Sequence, residues 1–168
     1  IAGAEITYKD ADGNYTLKES PSRKDVGETE VEFKASLYGY ADAYGKAKVT
    51  ITKRPVTITA AASEKIYGNA DPVFADAVME NNVTGELGEI DLSVSRSDAD
   101  NNELGVHERV LTISQTKEAL EGTYTNYTFT VTPADFTITT NETALNVTAP
   151  DVEKVYDGNS YGVTAVSY

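Results

Sequence analysis

Apolar and polar residues alternate along most of this chain. Ile6 and Tyr8 are interleaved with Glu5, Thr7 and Lys9, and Val31, Phe33, Ala35 and Leu37 with Glu32, Lys34 and Ser36. Ala47, Val49 and Ile51 are likewise interleaved with Lys48, Thr50 and Thr52. A period of two puts every second side chain on one face, so each run predicts a strand with one apolar and one wetted side. Between the first run and Tyr15-Thr16-Leu17 lies Asp10-Ala11-Asp12-Gly13-Asn14, and Asp-Gly between alternating runs predicts a hairpin. Further on, Ile90, Leu92 and Val94 predict a strand, as do residues 110–114 and the alternation of Tyr127, Phe129 and Val131 with threonines. The polar stretch 98–103 reads as a loop. Residues 116–122 break the period: Thr116 suits an N-cap and Gly122 a helix end, which predicts a single helical turn. The fold class expected is all-β.

A longer period lies over the short one. Residues 56–69 run from alternating Val/Ile and Thr through a small-residue spacer to Glu-Lys-Ile-Tyr-Gly-Asn. Residues 145–159 repeat the plan, ending in Glu-Lys-Val-Tyr-Asp-Gly-Asn, so that Lys65 and Lys154 lie 89 positions apart (154 − 65). Recurrence at that distance marks the start of a module, and two starts mark an array. Pro55 follows a run of Val, Thr and Ile and precedes another, and a proline cannot donate to a ladder, so the joint between modules is expected there. Pro133-Ala134-Asp135 repeats that join. The chain thus divides into 1–54, the C-terminal part of a first module; 55–140, a complete module; and 141–168, the start of a third module or a linker.

Bulk properties narrow the classes. With 168 residues and modules near the roughly 100 residues of a β-sandwich, each unit can bury only a modest core. The formal charge of −13 opposes phosphate backbones and anionic lipid heads, which argues against nucleic acid as a partner. No apolar run approaches the roughly 20 residues of a membrane span, so direct membrane insertion is not expected. There are 0 cysteines, which removes disulfides and thiolate zinc sites. An extracellular β-protein without disulfides points toward a bacterial source.

The runs Lys-Ile-Tyr-Gly-Asn-Ala-Asp-Pro-Val-Phe (65–74), Gly-Thr-Tyr-Thr-Asn-Tyr-Thr-Phe-Thr-Val-Thr-Pro (122–133) and Lys-Val-Tyr-Asp-Gly-Asn (154–159) resemble the MBG and YDG repeat modules of bacterial cell-surface proteins. The first fragment, with residues 7–13 and 25–29, resembles the C-terminal half of a related Ig-like repeat. The resemblance implies an extracellular, non-enzymatic repeat region of an adhesin-like protein, and it carries no catalytic residues to transfer. Its partners would be neighbouring modules of the same chain, with a host glycan or surface protein as the alternative.

Individual residues give no chemical site. Asp10, Asp12 and Asn14 are oxygen donors of the kind calcium takes, but the glycine falls at the fourth position of the loop and Pro21 at the twelfth, so the spacing of a calcium loop fails. Asp98, Asp100 and Glu103 form a second acidic loop, also without the spacing. His107 is the 1 histidine, with no orienting motif beside it, and reads as a surface or half-buried residue. Glu28, Glu30 and Glu32 share a strand face, where like charges favour exposure. Tyr38, Tyr40, Tyr44, Tyr124 and Tyr127 suit either sheet packing or recognition of sugars and proteins. Sequons at Asn14, Asn82, Asn126, Asn141 and Asn146 follow from a threonine-rich composition. A Lys–Asn isopeptide crosslink needs Lys, Asn and a carboxyl together in a core, and no such triple can be picked out. Catalytic residues, cofactors and metal ligands are therefore expected to be none, and the ligand stays unknown.

The expected architecture is a row of antiparallel Ig-like β-sandwich modules, with a β-grasp-like central module as the alternative if 116–122 is a true helix.

Overall fold

The computed structural model describes residues 3–162. Its first unit is one antiparallel sheet. The Asp10–Gly13 turn connects β1 (Glu5–Lys9) to β2 (Tyr15–Leu17), and a long hairpin follows from β3 (Gly27–Ser36) and β4 (Ala43–Ile51). The order is β2-β1-β3-β4, with β3 and β4 paired from Gly27↔Ile51 to Ala35↔Ala43. These are the strands that the alternation predicts. Phe33 lies directly opposite Gly45, and a Cβ on that glycine would stand 2.4 Å from the ring, so the aromatic side chain occupies the space a larger residue would need.

The two faces of this sheet differ. Ile6, Tyr8, Val31, Phe33, Ala47 and Val49 line a groove of about 300 Å³ on one side. The other carries Glu28, Glu30 and Glu32, and here the expectation of a mutually repelling, merely solvated column is corrected. Lys48 Nζ stands 2.9 Å from Glu28, Lys46 2.7 Å from Glu30 and 2.9 Å from Glu32, and Lys9 2.6 Å from Glu32. Lysines at period two on the neighbouring strand interleave with the acids, so the column is an ion-pair ladder.

The central unit contains β5 (Arg54–Thr59), β6 (Ser63–Ile66), β7 (Val78–Glu80), β8 (Ser95–Arg96), β9 (Gly105–Thr112), α1 (Lys117–Thr123), β10 (Tyr127–Thr132) and β11 (Ala134–Thr139). They form two sheets, β10-β5-β7 and β6-β11-β9-β8. All-β holds, with one short helix among the described residues. The wholly antiparallel sandwich does not hold here: β10 runs parallel to β5, and β11 parallel to β6. Parallel first and last strands with a helix before the last pair fit the β-grasp-like alternative. The helix is capped by the Thr116 hydroxyl, which accepts from Ala119 N, and it buries Leu120. Glu121 fastens it to β10 by accepting from Thr128 Oγ1 at 2.8 Å and Phe129 N at 2.9 Å.

Both prolines act differently from expectation. Pro55 lies inside β5, opposite Thr128, and the break between units falls at Thr52-Lys53. Pro133 is no joint between units. It stands where the last strand crosses from the sheet of β10 to the sheet of β11, a place where a missing N–H is harmless. On the paired strand Ala60-Ala61-Ala62 makes the same crossing.

The core follows from the threonine-spaced pattern. Val56, Ile58, Tyr127 and Phe129 meet Leu87, Ile90, Ile113 and Leu120 in the larger cluster, and Leu111, Phe136 and Ile138 form the smaller one, with Phe74 edge-on to Phe136 at 5.8 Å. The strand expected across Ile90, Leu92 and Val94 is not formed at those residues. Those residues turn inward, but just Ser95-Arg96 pairs with a neighbour. Past Thr139 no strand follows among the described residues, and Leu145 and Val147 of the repeated motif are exposed.

Candidate functional site

Two places in the chain concentrate polar contacts. The first is the junction between the units. Asn126 occupies the turn between α1 and β10, and its side-chain oxygen accepts from Val26 N at 2.9 Å while its Nδ2 donates to Asp25 Oδ1 at 2.9 Å. Its own carbonyl accepts from Arg54 N at 3.0 Å, at the start of β5. One asparagine thus reads both a donor and an acceptor on the turn before β3 and also holds the linker. Beside it Tyr127 donates its hydroxyl to Glu86, which raises the phenol above its ordinary range, and Arg54 donates to Asn81 O. A cleft of about 190 Å³ between Val26, Ile51, Arg54 and Tyr127 marks the seam. Asn126 stood in the sequence only as the head of a sequon. What it does depends on a contact 100 positions away, which no local pattern signals.

The second is a polar cluster at the opposite end of the central unit. The Arg96 side chain, 1% exposed, donates to Asp71 at 3.2 Å and Asp98 at 2.8 Å, and also to Asn101 O. Its guanidinium lies 4.5 Å from the centre of the Phe136 ring. Lys65 Nζ is 2.6 Å from Asp71 Oδ1 and 2.7 Å from Asn102 Oδ1. Burial works to raise both Asp71 and Asp98, but their cationic partners outweigh it and hold both carboxyls below the ordinary value. Lys65 thereby ties β6 to the segment beginning Asp71-Pro72, whereas Lys154 of the repeated motif pairs with Asp157.

His107 is buried within β9, deeper than the surface or half-buried position expected. Its Nδ1 faces Asp98 Oδ2 at 2.5 Å and its Nε2 faces Glu103 O at 2.9 Å. Both neighbours are acceptors, an arrangement that favours a proton on each ring nitrogen. The Glu103 carbonyl and then Asp98 raise its pKa. With both nitrogens engaged, the ring has none to offer a serine.

The acidic loops resolve differently. Asp10 spends its carboxylate on Asp12 N, Asn14 N and Thr16 Oγ1, the hydrogen bonds of a turn, and the Thr16 bond chiefly holds its pKa low. Asp98 is committed to Arg96 and His107, and Asp100 joins neither. No group of three or more His, Asp or Glu suited to a metal is found among the described residues. Lys65, Asp71 and Asn102 are the triple that the crosslink requires and that the sequence did not reveal. An ionised Asp71, shared with Arg96, is a poor acceptor for the proton that Lys65 must lose before attacking an amide, and Asn102 is exposed. The geometry is that of an ion-pair network.

The tyrosines divide into two sets. Tyr127 is buried, and Tyr124 packs beside it on Phe129. Tyr38, Tyr40 and Tyr44 are exposed around the β3–β4 turn, with Tyr44 edge-on to Tyr15 at 5.2 Å. Of the other sequon asparagines, Asn141 donates to Tyr67 O at 3.3 Å.

No helix among the described residues is long and apolar enough to cross a membrane. No curated protein and no solved structure matches the chain. A family match does exist, and it covers residues 56–137, from the third residue of core-facing β5 to the middle of β11. Its limits enclose both sheets of the central unit, the helix, Asn126 and the Lys65 cluster. Residues 56–137 match the family of MBG domains of the YGX type.

Proposed function

We propose that the chain is a non-enzymatic spacer from the repeat region of a bacterial adhesin-like protein, exposed on the cell surface or secreted, and projecting a binding domain away from the cell. The observation that carries this reading is the Asn126 junction: one side-chain amide of the MBG domain holds the turn before β3 through two hydrogen bonds, while its backbone carbonyl holds Arg54 at the start of β5. A fixed junction is what a spacer needs and what a freely jointed pair of domains lacks. The net charge of −13 keeps such an array soluble. No reactive group is assigned, because His107, Asp98, Asp71 and Lys65 satisfy one another. Small-angle scattering tests the reading: an elongated particle is expected, and a compact globule would overturn it.

A second reading has an observation of its own. Tyr38, Tyr40 and Tyr44 form an exposed aromatic group at one hairpin, suited to a host glycan or protein. Binding on a glycan array that disappears in a Tyr38→Ala/Tyr40→Ala variant would favour this adhesive role.

A further inference from the structure

The two units share a feature that sequence comparison alone does not align. In the first, Asp25-Val26 leads into Gly27, which has φ +135° and opens β3 opposite Ile51 of the last strand. In the MBG domain, Glu103-Leu104 leads into Gly105, which has φ +124° and opens β9 opposite Ile138 of the last strand. The facing strands end alike, as Thr50-Ile51-Thr52 and Thr137-Ile138-Thr139. Both turns are therefore acidic, aliphatic, glycine, with the glycine in a conformation other residues rarely adopt. Both stand beside the point where the chain leaves its unit.

At the first junction this turn is occupied. Asp25 accepts from Asn126 Nδ2, and Val26 N donates to Asn126 Oδ1. At the second, Leu104 is 56% exposed. The Glu103 carbonyl and amide are engaged by His107 and Asn101, but neither the Glu103 carboxylate nor the Leu104 N–H has a partner among the described residues. A carboxylate acceptor and a backbone donor thus stand side by side, in the arrangement that a side-chain amide bridges one unit earlier.

We propose that the Glu103-Leu104 turn is a docking site for the following repeat unit, and that it takes a carboxamide side chain, Asn or Gln, from that unit's turn before its last strand. The amide donates to Glu103 and accepts from Leu104 N. The longer glutamate side chain and the longer path out suit each other: seven positions separate Ile138 from Leu145, against five between Ile51 and Val56. Next to it, His107 and Arg96 fix the loop from behind, so the turn is presented on a rigid support.

This inference rests on the reading of the chain as a repeat array. The test joins a second copy of residues 53–139 directly after Asn141, which keeps the seven positions between Ile138 and the start of the next core strand. Amide exchange is read by NMR with the label confined to residues 1–139. Exchange at Leu104 is expected to slow at least about tenfold relative to the original chain. It should return to the original rate when Asn126→Ala is placed in the second copy alone, or when Glu103→Lys is placed in the first. Protection of Phe129 in an identically labelled second copy verifies that the added unit is folded. Unchanged exchange at Leu104 beside a folded second copy overturns the proposal, as does protection that survives Asn126→Ala. If Leu104 stays fast while scattering still gives an elongated particle, only the docking proposal falls.

Discussion

The sheet of residues 5–51 and the MBG domain reach order by different means. Among the described residues every buried apolar side chain except Val31 lies between Val56 and Ile138. The MBG domain is organised inward, around Phe129, Phe136 and their neighbours. The first sheet is organised along its own surface, by a nine-pair hairpin ladder and a row of ion pairs, with an apolar face lining an open groove. The two therefore differ in where a mutation hurts. Deleting atoms inside a core leaves a cavity, whereas deleting a charge from a wetted face leaves room that water fills.

The sharpest way to expose this difference is Phe129→Ala, expected to destabilise the MBG domain by about 3–5 kcal/mol in denaturant unfolding. The ladder of β3 and β4 should keep its exchange protection, and its loss would mean that the two regions fold as one. Next comes Arg96→Leu, expected to cost about 3 kcal/mol because Asp71 and Asp98 stay behind without their buried partner. In the first sheet, Gly45→Val is expected to cost about 1–3 kcal/mol by driving a side chain into Phe33, with the melting of the MBG domain unchanged. The smallest effect belongs to Lys46→Ala, which removes contacts to Glu30 and Glu32 on an exposed face. Its shift in melting temperature should be minor and should vanish in high salt, although those lysines, Lys9 first, hold Glu32 down to about 2.

Acidity separates the regions again. The pKa of His107 is raised in the folded chain, so its contribution is full below its unfolded value of 6.5 and is lost as pH rises through the folded value. Asp71 and Asp98 are lowered, so theirs is present above 3.8 and is lost as pH falls through their folded values. The MBG domain should therefore be most stable between these limits. His107→Asn should abolish the decline on the alkaline side, and a decline that persists in that variant would assign it to another group.

Period-two alternation made β1 to β4 and β10 legible in the sequence, and Thr116 with Gly122 located the helix to within a residue. Strand direction was not legible, because the face a residue occupies is the same in parallel and antiparallel pairs. Pro133 was taken for a boundary since a lost ladder bond looks the same at a joint and at a crossing between sheets. The roles of Asn126 and Lys65 were hidden for a different reason. Each depends on partners brought close by the fold, Asp25 and Val26 for one, Asn102 for the other, and local pattern carries no record of them. The full burial of His107 is not legible either, because a lone histidine beside a strand gives no hint that an aspartate and a carbonyl will enclose it.

The parallel pairing of β5 with β10 and of β6 with β11 also determines how the MBG domain meets tension. The chain enters at Arg54 at one end of the paired strands and leaves at Thr139 at the other. Pulling on the two neighbours of the domain therefore slides the first strand against the last, lengthwise, and the ten residue pairs between them are loaded together. A hairpin pulled from its open end, such as β3 and β4, gives way one pair at a time. Resistance of the domain to stretching would reside in this shear seam, and the rate of its rupture under load would set how long it stays folded.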